Sequence, residues 1–157
     1  DFESYQPFLP RERGMTPLQQ CVFQYSLHQQ NKKGAELKHQ EFLMTPNQEG
    51  DVRILFLENL LEHTKEAKSI LVYDVSFEKH YLQYLTKAFP KYRTKIENLM
   101  DKMIDLMLPF SQKWVYTPEM KGLHSIKSVL PALVPNMNYK DLNLQNGLMA
   151  SLAYAQW

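Results

Sequence analysis

The stretch Ile70-Leu71-Val72-Tyr73-Asp74-Val75-Ser76-Phe77-Glu78 decides how this chain is read. Its first half is a short apolar run that turns polar, the pattern of a buried parallel strand. Its second half starts a helix capped by Ser76. Phe77, Tyr81, Leu82, Leu85 and Phe89 recur at helical spacing until Pro90 ends it. Open α/β sheets build their sites outside the carboxyl ends of strands, where a strand hands over to a helix. Asp74 falls at that strand end and Glu78 in the first helical turn.

The partner of this stretch is the opening Asp1-Phe2-Glu3-Ser4. On a strand, side chains alternate, so Asp1 and Glu3 share a face about 7 Å apart. An acid-x-acid triplet alone occurs too widely to mean anything. Set beside Asp74 and Glu78, it gives carboxylates that can converge on hard divalent cations. Mg²⁺ and Mn²⁺ prefer oxygen ligands, and two ions ~3.5–4 Å apart activate water and stabilise the leaving oxygen of a phosphodiester.

Between these stretches, Pro7, Pro10, Gly14 and Pro17 mark a loop. From Cys21 to His28 the pattern alternates, with Phe23, Tyr25 and Leu27 on one side and Gln24, Ser26 and His28 on the other. Residues 36–45 read as the returning strand of a hairpin, and Asn47–Gly50 as a turn. Asp51 caps a helix to about Lys65, with Val52, Leu55, Phe56, Leu60 and Leu61 at helical spacing. A further helix is expected from about Tyr92 to Leu108, carrying a stripe of Ile96, Leu99, Met100, Met103, Ile104 and Met107, which reads as core filler. Trp114–Tyr116 reads as a short extended piece, Ser125–Leu130 as a helix start, Pro135–Leu144 as loop and Gly147–Trp157 as a last helix. An antiparallel three-stranded beginning followed by parallel additions predicts one mixed sheet with helices on its faces.

At 157 residues the chain has the length of one domain with a sizeable core. A net charge of +1 supplies no global basic field, although a local stripe can still serve nucleic acid. The lone Cys21 can form no internal disulfide and no zinc-type spacing exists, which fits a reducing, cytoplasmic setting. No apolar run approaches the ~18 residues a membrane helix needs. A chain that opens on its motif without Met and stops in a helical pattern reads as a segment of a longer protein with other domains.

Asp1-Phe2-Glu3-Ser4 resembles the first motif of the ribonuclease H-like, proofreading-type (DEDD) 3′–5′ exonucleases, and Tyr73–Glu78 resembles their second. More closely, the chain resembles the bacterial domain-of-unknown-function family 2779. The similarity runs through Gln24-Tyr25-Ser26-Leu27-His28, Ile70–Glu78, Met103-Ile104-Asp105-Leu106, Met120-Lys121-Gly122 and Ser125–Pro135, the last being the most distinctive. The resemblance implies a ribonuclease H-like α/β fold, truncated at its C-terminus, and a two-metal Mg²⁺ or Mn²⁺ site. It makes Asp1, Glu3 and Glu78 catalytic metal ligands, with Glu78 in place of the usual Asp. Asp74 stands where the superfamily more often has Asn and is a further candidate ligand. A fourth acid is expected beyond Gly147-Leu148-Met149-Ala150, outside these residues.

Ser4, Phe77, Lys121 and Lys127 are candidate nucleic-acid contacts, with Lys140, Trp114 and Tyr116 as further cations and rings for phosphates and bases. Arg11 and Arg13 have the same standing. Asp105, on the apolar side of the Met-rich stretch, needs a structural partner. His124 has no Asp following at the spacing of histidine-type exonucleases, Asp141 lying far downstream. His28 and His80 read as surface residues. The expected function is a metal-dependent 3′–5′ exonuclease on single-stranded ends of DNA or RNA. The rivals are a catalytically silent module that binds nucleic acid or protein, and an endonuclease acting on branched or hybrid duplexes.

Overall fold

The computed structural model describes residues 1–45, 48–139, 142–144 and 146–157, so Asn47, Lys140 and Asp141 lie outside the described residues. The architecture is mixed α/β, with two small sheets and helices packed on them. Strands β1 (Phe2–Tyr5), β2 (Cys21–Gln29) and β3 (Lys38–Leu43) form an antiparallel sheet in chain order. Helix α1 (Val52–Thr64) follows, then β4 (Ile70–Val72) and α2 (Ser76–Ala88). A 3₁₀ turn at Pro90–Tyr92 feeds α3 (Arg93–Asp101), after which β5 (Met103–Asp105) pairs parallel with β4. Helices α4 (Leu108–Ser111), α5 (Ile126–Leu133) and α6 (Gly147–Gln156) complete the chain.

The core lies between the first sheet and α1, α2 and α3. Phe2 meets Phe56 of α1 edge-on at 5.0 Å, and Tyr25 stacks on Phe42 at 6.0 Å. Phe56, Leu57, Leu82, Leu85 and Ile96 are fully buried. Burial of each such side chain contributes roughly 1.5–3 kcal/mol. The Asp51 side chain caps α1 by accepting the Arg53 N–H at 2.9 Å. Arg53, only 3% exposed, also donates to Asp51, to the Tyr84 hydroxyl and to the Arg13 carbonyl, tying the proline-rich loop to α1.

Several expectations need correction. The single mixed sheet is two sheets: among the described residues no ladder joins β4 to β1, and a groove lined by Asp1, Phe2, Ile70, Leu71 and Val72 lies between them. The helix expected to reach Leu108 stops at Asp101, and Met103–Asp105 is strand. Met and Ile satisfy either period, and the open edge of β4 decides the matter. Ile70 N–H donates to the Lys102 carbonyl and Leu106 N–H to that of Val72, each at 2.8 Å. Trp114–Tyr116 forms no strand.

A bulge alters the reading of β2. Register slips between Glu3↔Gln24 and Ser4↔Val22, leaving Phe23 as the extra residue. Phe23 therefore leaves the face of Tyr25 and stacks on Tyr154 of α6 at 3.9 Å. Ser76 is the first residue of α2 rather than its cap, and its N–H and hydroxyl donate to Asp74.

Candidate functional site

Alternation along β1 sends Phe2 into the α1 side of the sheet and Tyr5 onto Tyr154 of α6 at 4.9 Å. Asp1 and Glu3 share Tyr5's parity, and Glu3 accordingly meets α6. An ideal Cβ on Gly147 would stand 3.2 Å from Glu3 Oε2. Asn146 caps α6 by accepting the Met149 N–H at 3.0 Å, so the Glu3 carboxylate lies beside the positive end of a capped helix. Burial raises the Glu3 pKa, while the Asp1 ammonium and Lys127 pull it down.

Asp1 is fixed by backbone: its ammonium donates to the Ser26 carbonyl at 3.1 Å, and its own carbonyl accepts the Ser26 N–H at 3.0 Å. Burial lowers the pKa of that ammonium, opposed by the fields of Glu78 and Glu3. Glu78, in the first turn of α2, is 4% exposed. Its Oε2 is buried with no hydrogen-bond partner among the described residues. Burial raises its pKa most, with Asp74 and Asp105 adding to the rise; its own backbone N–H and the Asp1 ammonium oppose it.

Glu3 and Glu78 thus each act on the Asp1 ammonium. Asp74 and Asp105 reach Glu78 but have structural duties. Asp74 adopts a left-handed conformation, φ 62°, and its carboxylate takes the Ser76 N–H and hydroxyl. Asp105 Oδ1 accepts the N–H of Asp74 at 3.1 Å and of Met107 at 2.8 Å, pinning the end of β5 to that of β4.

The carboxylate oxygens suit a hard cation in kind, and the unpartnered Glu78 oxygen is one that a cation would satisfy. Yet among the described residues no three acid, His or Cys side chains gather closely enough to hold a metal ion.

Two cavities meet at Asp1. One, of about 740 Å³, is lined by Glu3, Lys127, Tyr139, Gly147, Tyr154 and Trp157 among others. The other, of about 880 Å³, is the groove between β2 and β4 and includes Glu78. Lys127 Nζ lies 5.9 Å from the Tyr139 ring centre on the first cavity. Of the other candidate contacts, Ser4 accepts from Gln20 Nε2 at 2.8 Å. Phe77 packs against the core, and Lys121 is exposed and lines neither cavity. Trp114 and Tyr116 are exposed away from both. Arg11 lies over the Tyr5 ring at 5.4 Å. His124 contributes its carbonyl, which accepts the Tyr73 hydroxyl at 2.6 Å, and His28 stacks on His39 at 4.5 Å.

The reading of the residues missed Gly147, Tyr154 and Trp157 as walls of the site. The available signals were the Asn146-Gly147 start of a helix and two aromatics three apart on it.

Among the described residues no helix is long and apolar enough to cross a membrane. No solved structure matches the chain. One curated relative is the uncharacterized protein UU173 of Ureaplasma parvum serovar 3 (strain ATCC 700970), 31% identical over an alignment of 97 positions that covers 52% of this chain and 14% of that protein. The chain thus spans about a seventh of that relative's length. Residues 1–125 match the family described as a domain of unknown function, DUF2779, and the chain belongs to that family.

Proposed function

We propose that this chain is the acid-bearing part of a ribonuclease H-like, metal-dependent nuclease, a 3′–5′ exonuclease acting on single-stranded ends of DNA or RNA. One observation carries the reading. Glu78 is buried with an unpartnered carboxylate oxygen, and burial raises its pKa, with Asp74 and Asp105 adding to the rise. A charged oxygen without a partner in a desolvated place is costly unless a cation meets it. Asp1 just ahead of β1, Glu3 on β1 and Glu78 on α2 would hold Mg²⁺ or Mn²⁺, with Asp74 assisting. Such ions supply an activated water and charge for the leaving oxygen. Lys127, facing Glu3's cavity, would neutralise a phosphate, and Tyr139 and Trp157 offer faces for bases. The buried, unpaired Cys21 suits the reducing cytoplasm.

A second reading is a silent module that binds single strands or a partner protein. It is favoured by the lack of any three grouped donors among the described residues. The test uses the parent protein, with Asp1→Asn and Glu78→Gln variants, on 5′-labelled single-stranded DNA and RNA. The first reading requires a ladder with Mn²⁺ that vanishes with chelator and in both variants. Intact substrate throughout, from folded protein that binds the strands in a salt-dependent way, would establish the second.

A further inference from the structure

The first sheet carries a pair of imidazoles on the face turned away from α1. Tyr25 and Phe42 both meet Phe56 of α1, so their side chains point to the core. Side chains alternate along a strand, which puts Ser26 and His28 of β2 and His39 and Glu41 of β3 on the opposite face. The register sets His28 directly across from His39 and Ser26 across from Glu41. The Met44 N–H donates to the Phe23 carbonyl at 2.8 Å, so that pair is hydrogen-bonded. Hydrogen-bonded and open pairs alternate along an antiparallel ladder. His28 and His39 therefore form an open pair, where facing side chains come closest.

Both histidines are exposed, and their ring centres lie 4.5 Å apart with the planes at 28°. Two nitrogens bound at ~2.0–2.1 Å to one tetrahedral Zn²⁺ stand ~3.4 Å from each other. Exposed rings reach that separation by turning about their side-chain bonds. The Ser26 hydroxyl lies 3.0 Å from His39 Nε2. Where that hydroxyl accepts, the ring proton is on Nε2 and Nδ1 keeps its lone pair. A polar partner on the far nitrogen is the support that metal-binding imidazoles have.

We propose that His28 and His39 form an open site for a borderline divalent cation, Zn²⁺ or Ni²⁺, held between β2 and β3. Imidazole suits such ions, whereas Mg²⁺ and Mn²⁺ go to oxygens, so the pair differs in chemistry from Asp1, Glu3 and Glu78. Glu41 adds no third ligand, since among the described residues no three such donors group. The remaining positions are left to water or to an oxygen ligand from solution. The ion would cross-link two strands beside Ser26, whose backbone exchanges both hydrogen bonds with Asp1. The inference rests on the strand register and stands whether or not the acids bind metal.

Zn²⁺ alone, titrated into the protein while the imidazole ring protons are followed by NMR, tests it. The His28 and His39 signals should shift together along one saturation curve, while those of His63, His80 and His124 stay in place. Mg²⁺ should move none of them. His28→Gln and His39→Gln should each weaken Zn²⁺ binding at least ~10-fold, the least that losing even a ligand's supporting partner costs. Equal affinity in either folded variant would overturn the proposal. So would a Zn²⁺ shift at only one of the two rings, a shift shared alike by all 5 histidines, or an equal response to Mg²⁺. If a variant fails to fold, the two rings of the unaltered protein still decide the matter.

Discussion

Gly147 stands against the Glu3 carboxylate so closely that an added Cβ would lie 3.2 Å from Oε2. That separation is tighter than ordinary carbon–oxygen contact, and the mobile group is the carboxylate rather than the helix backbone. Gly147→Ala should therefore shift Glu3 by a few tenths of an ångström while α6, favoured by alanine, stays folded. The melting temperature should move by only a few degrees, whereas Mn²⁺-dependent cleavage falls ~10-fold, the scale of disturbing a ligand's supporting shell. Thermal melts and nuclease assays read the two effects separately. Unchanged cleavage would remove Glu3 from the catalytic set.

The contrast between Glu3 and Gly147 shows what was legible in the sequence. The β1–β2–β3 hairpin order and the α1 and α2 helices follow from alternation and helical spacing, and they hold in the structure. Met103–Asp105 did not, because a Met-Ile pair fits either period and only the open edge of β4 selects strand. The bulge at Phe23 was equally hidden, since it depends on the register with β1 and on the ring of Tyr154, 131 positions further along. The acids were visible as residue types. The absence of a partner on Glu78 Oε2 is a property of packing, which no spacing rule reaches.

Glu78 also sets a pH dependence. Burial raises its pKa, and Glu3 is raised for the same first cause. The folded chain thus keeps protons that the unfolded chain has already released. Stability should fall as pH rises from the ordinary carboxylate range, ~4.3, through the raised values, and then level off. Glu78→Gln cannot ionise, so it should melt higher than the parent at neutral pH and show a shallower decline. Saturating Mn²⁺ should raise the parent's melting temperature, by the equivalent of ~2.7 kcal/mol at a hundredfold excess over Kd, and leave the variant unmoved. Melting curves from pH 4 to 8, in chelator and in Mn²⁺, check both statements. A variant that melts lower than the parent at pH 7 would contradict the unpartnered carboxylate.

Arg53 is the structural counterpart, a buried charge with every direction satisfied. It bonds Asp51 at 2.6 Å, the Tyr84 hydroxyl and the Arg13 carbonyl at 2.8 Å each, and lies 5.0 Å from the Phe89 ring centre. Arg53→Ala leaves the half-buried Asp51 without its cation and should cost ~3–5 kcal/mol in urea unfolding. Arg53→Lys should recover little, because an ammonium cannot reproduce the planar fork. Recovery to within about 1 kcal/mol by lysine would show that charge rather than geometry holds this corner.

Tyr154 governs the attachment of α6, and with it the wall of Glu3's cavity. Its ring lies flat on Phe23 at 3.9 Å and edge-on to Tyr5 at 4.9 Å. Burial pushes its phenol up to about 12, with the neighbouring Tyr5 adding to the rise. In the unfolded chain the same phenol ionises near ~10, so between that value and its folded one the unfolded state is increasingly favoured. The folded protein should lose stability as pH climbs from 10 to 12, and α6 should loosen first because its attachment is a few aromatic contacts. Tyr154→Phe keeps the stack and removes the titrating proton, so it should retain more of its stability across that window. Trp157 fluorescence, read in a Trp114→Phe background, reports the release of α6 directly. If the emission shift of Trp157 follows the same alkaline curve in Tyr154→Phe, the phenol is not the group that releases the helix. In that case the raised Tyr5 and Tyr25 hydroxyls carry the alkaline transition instead.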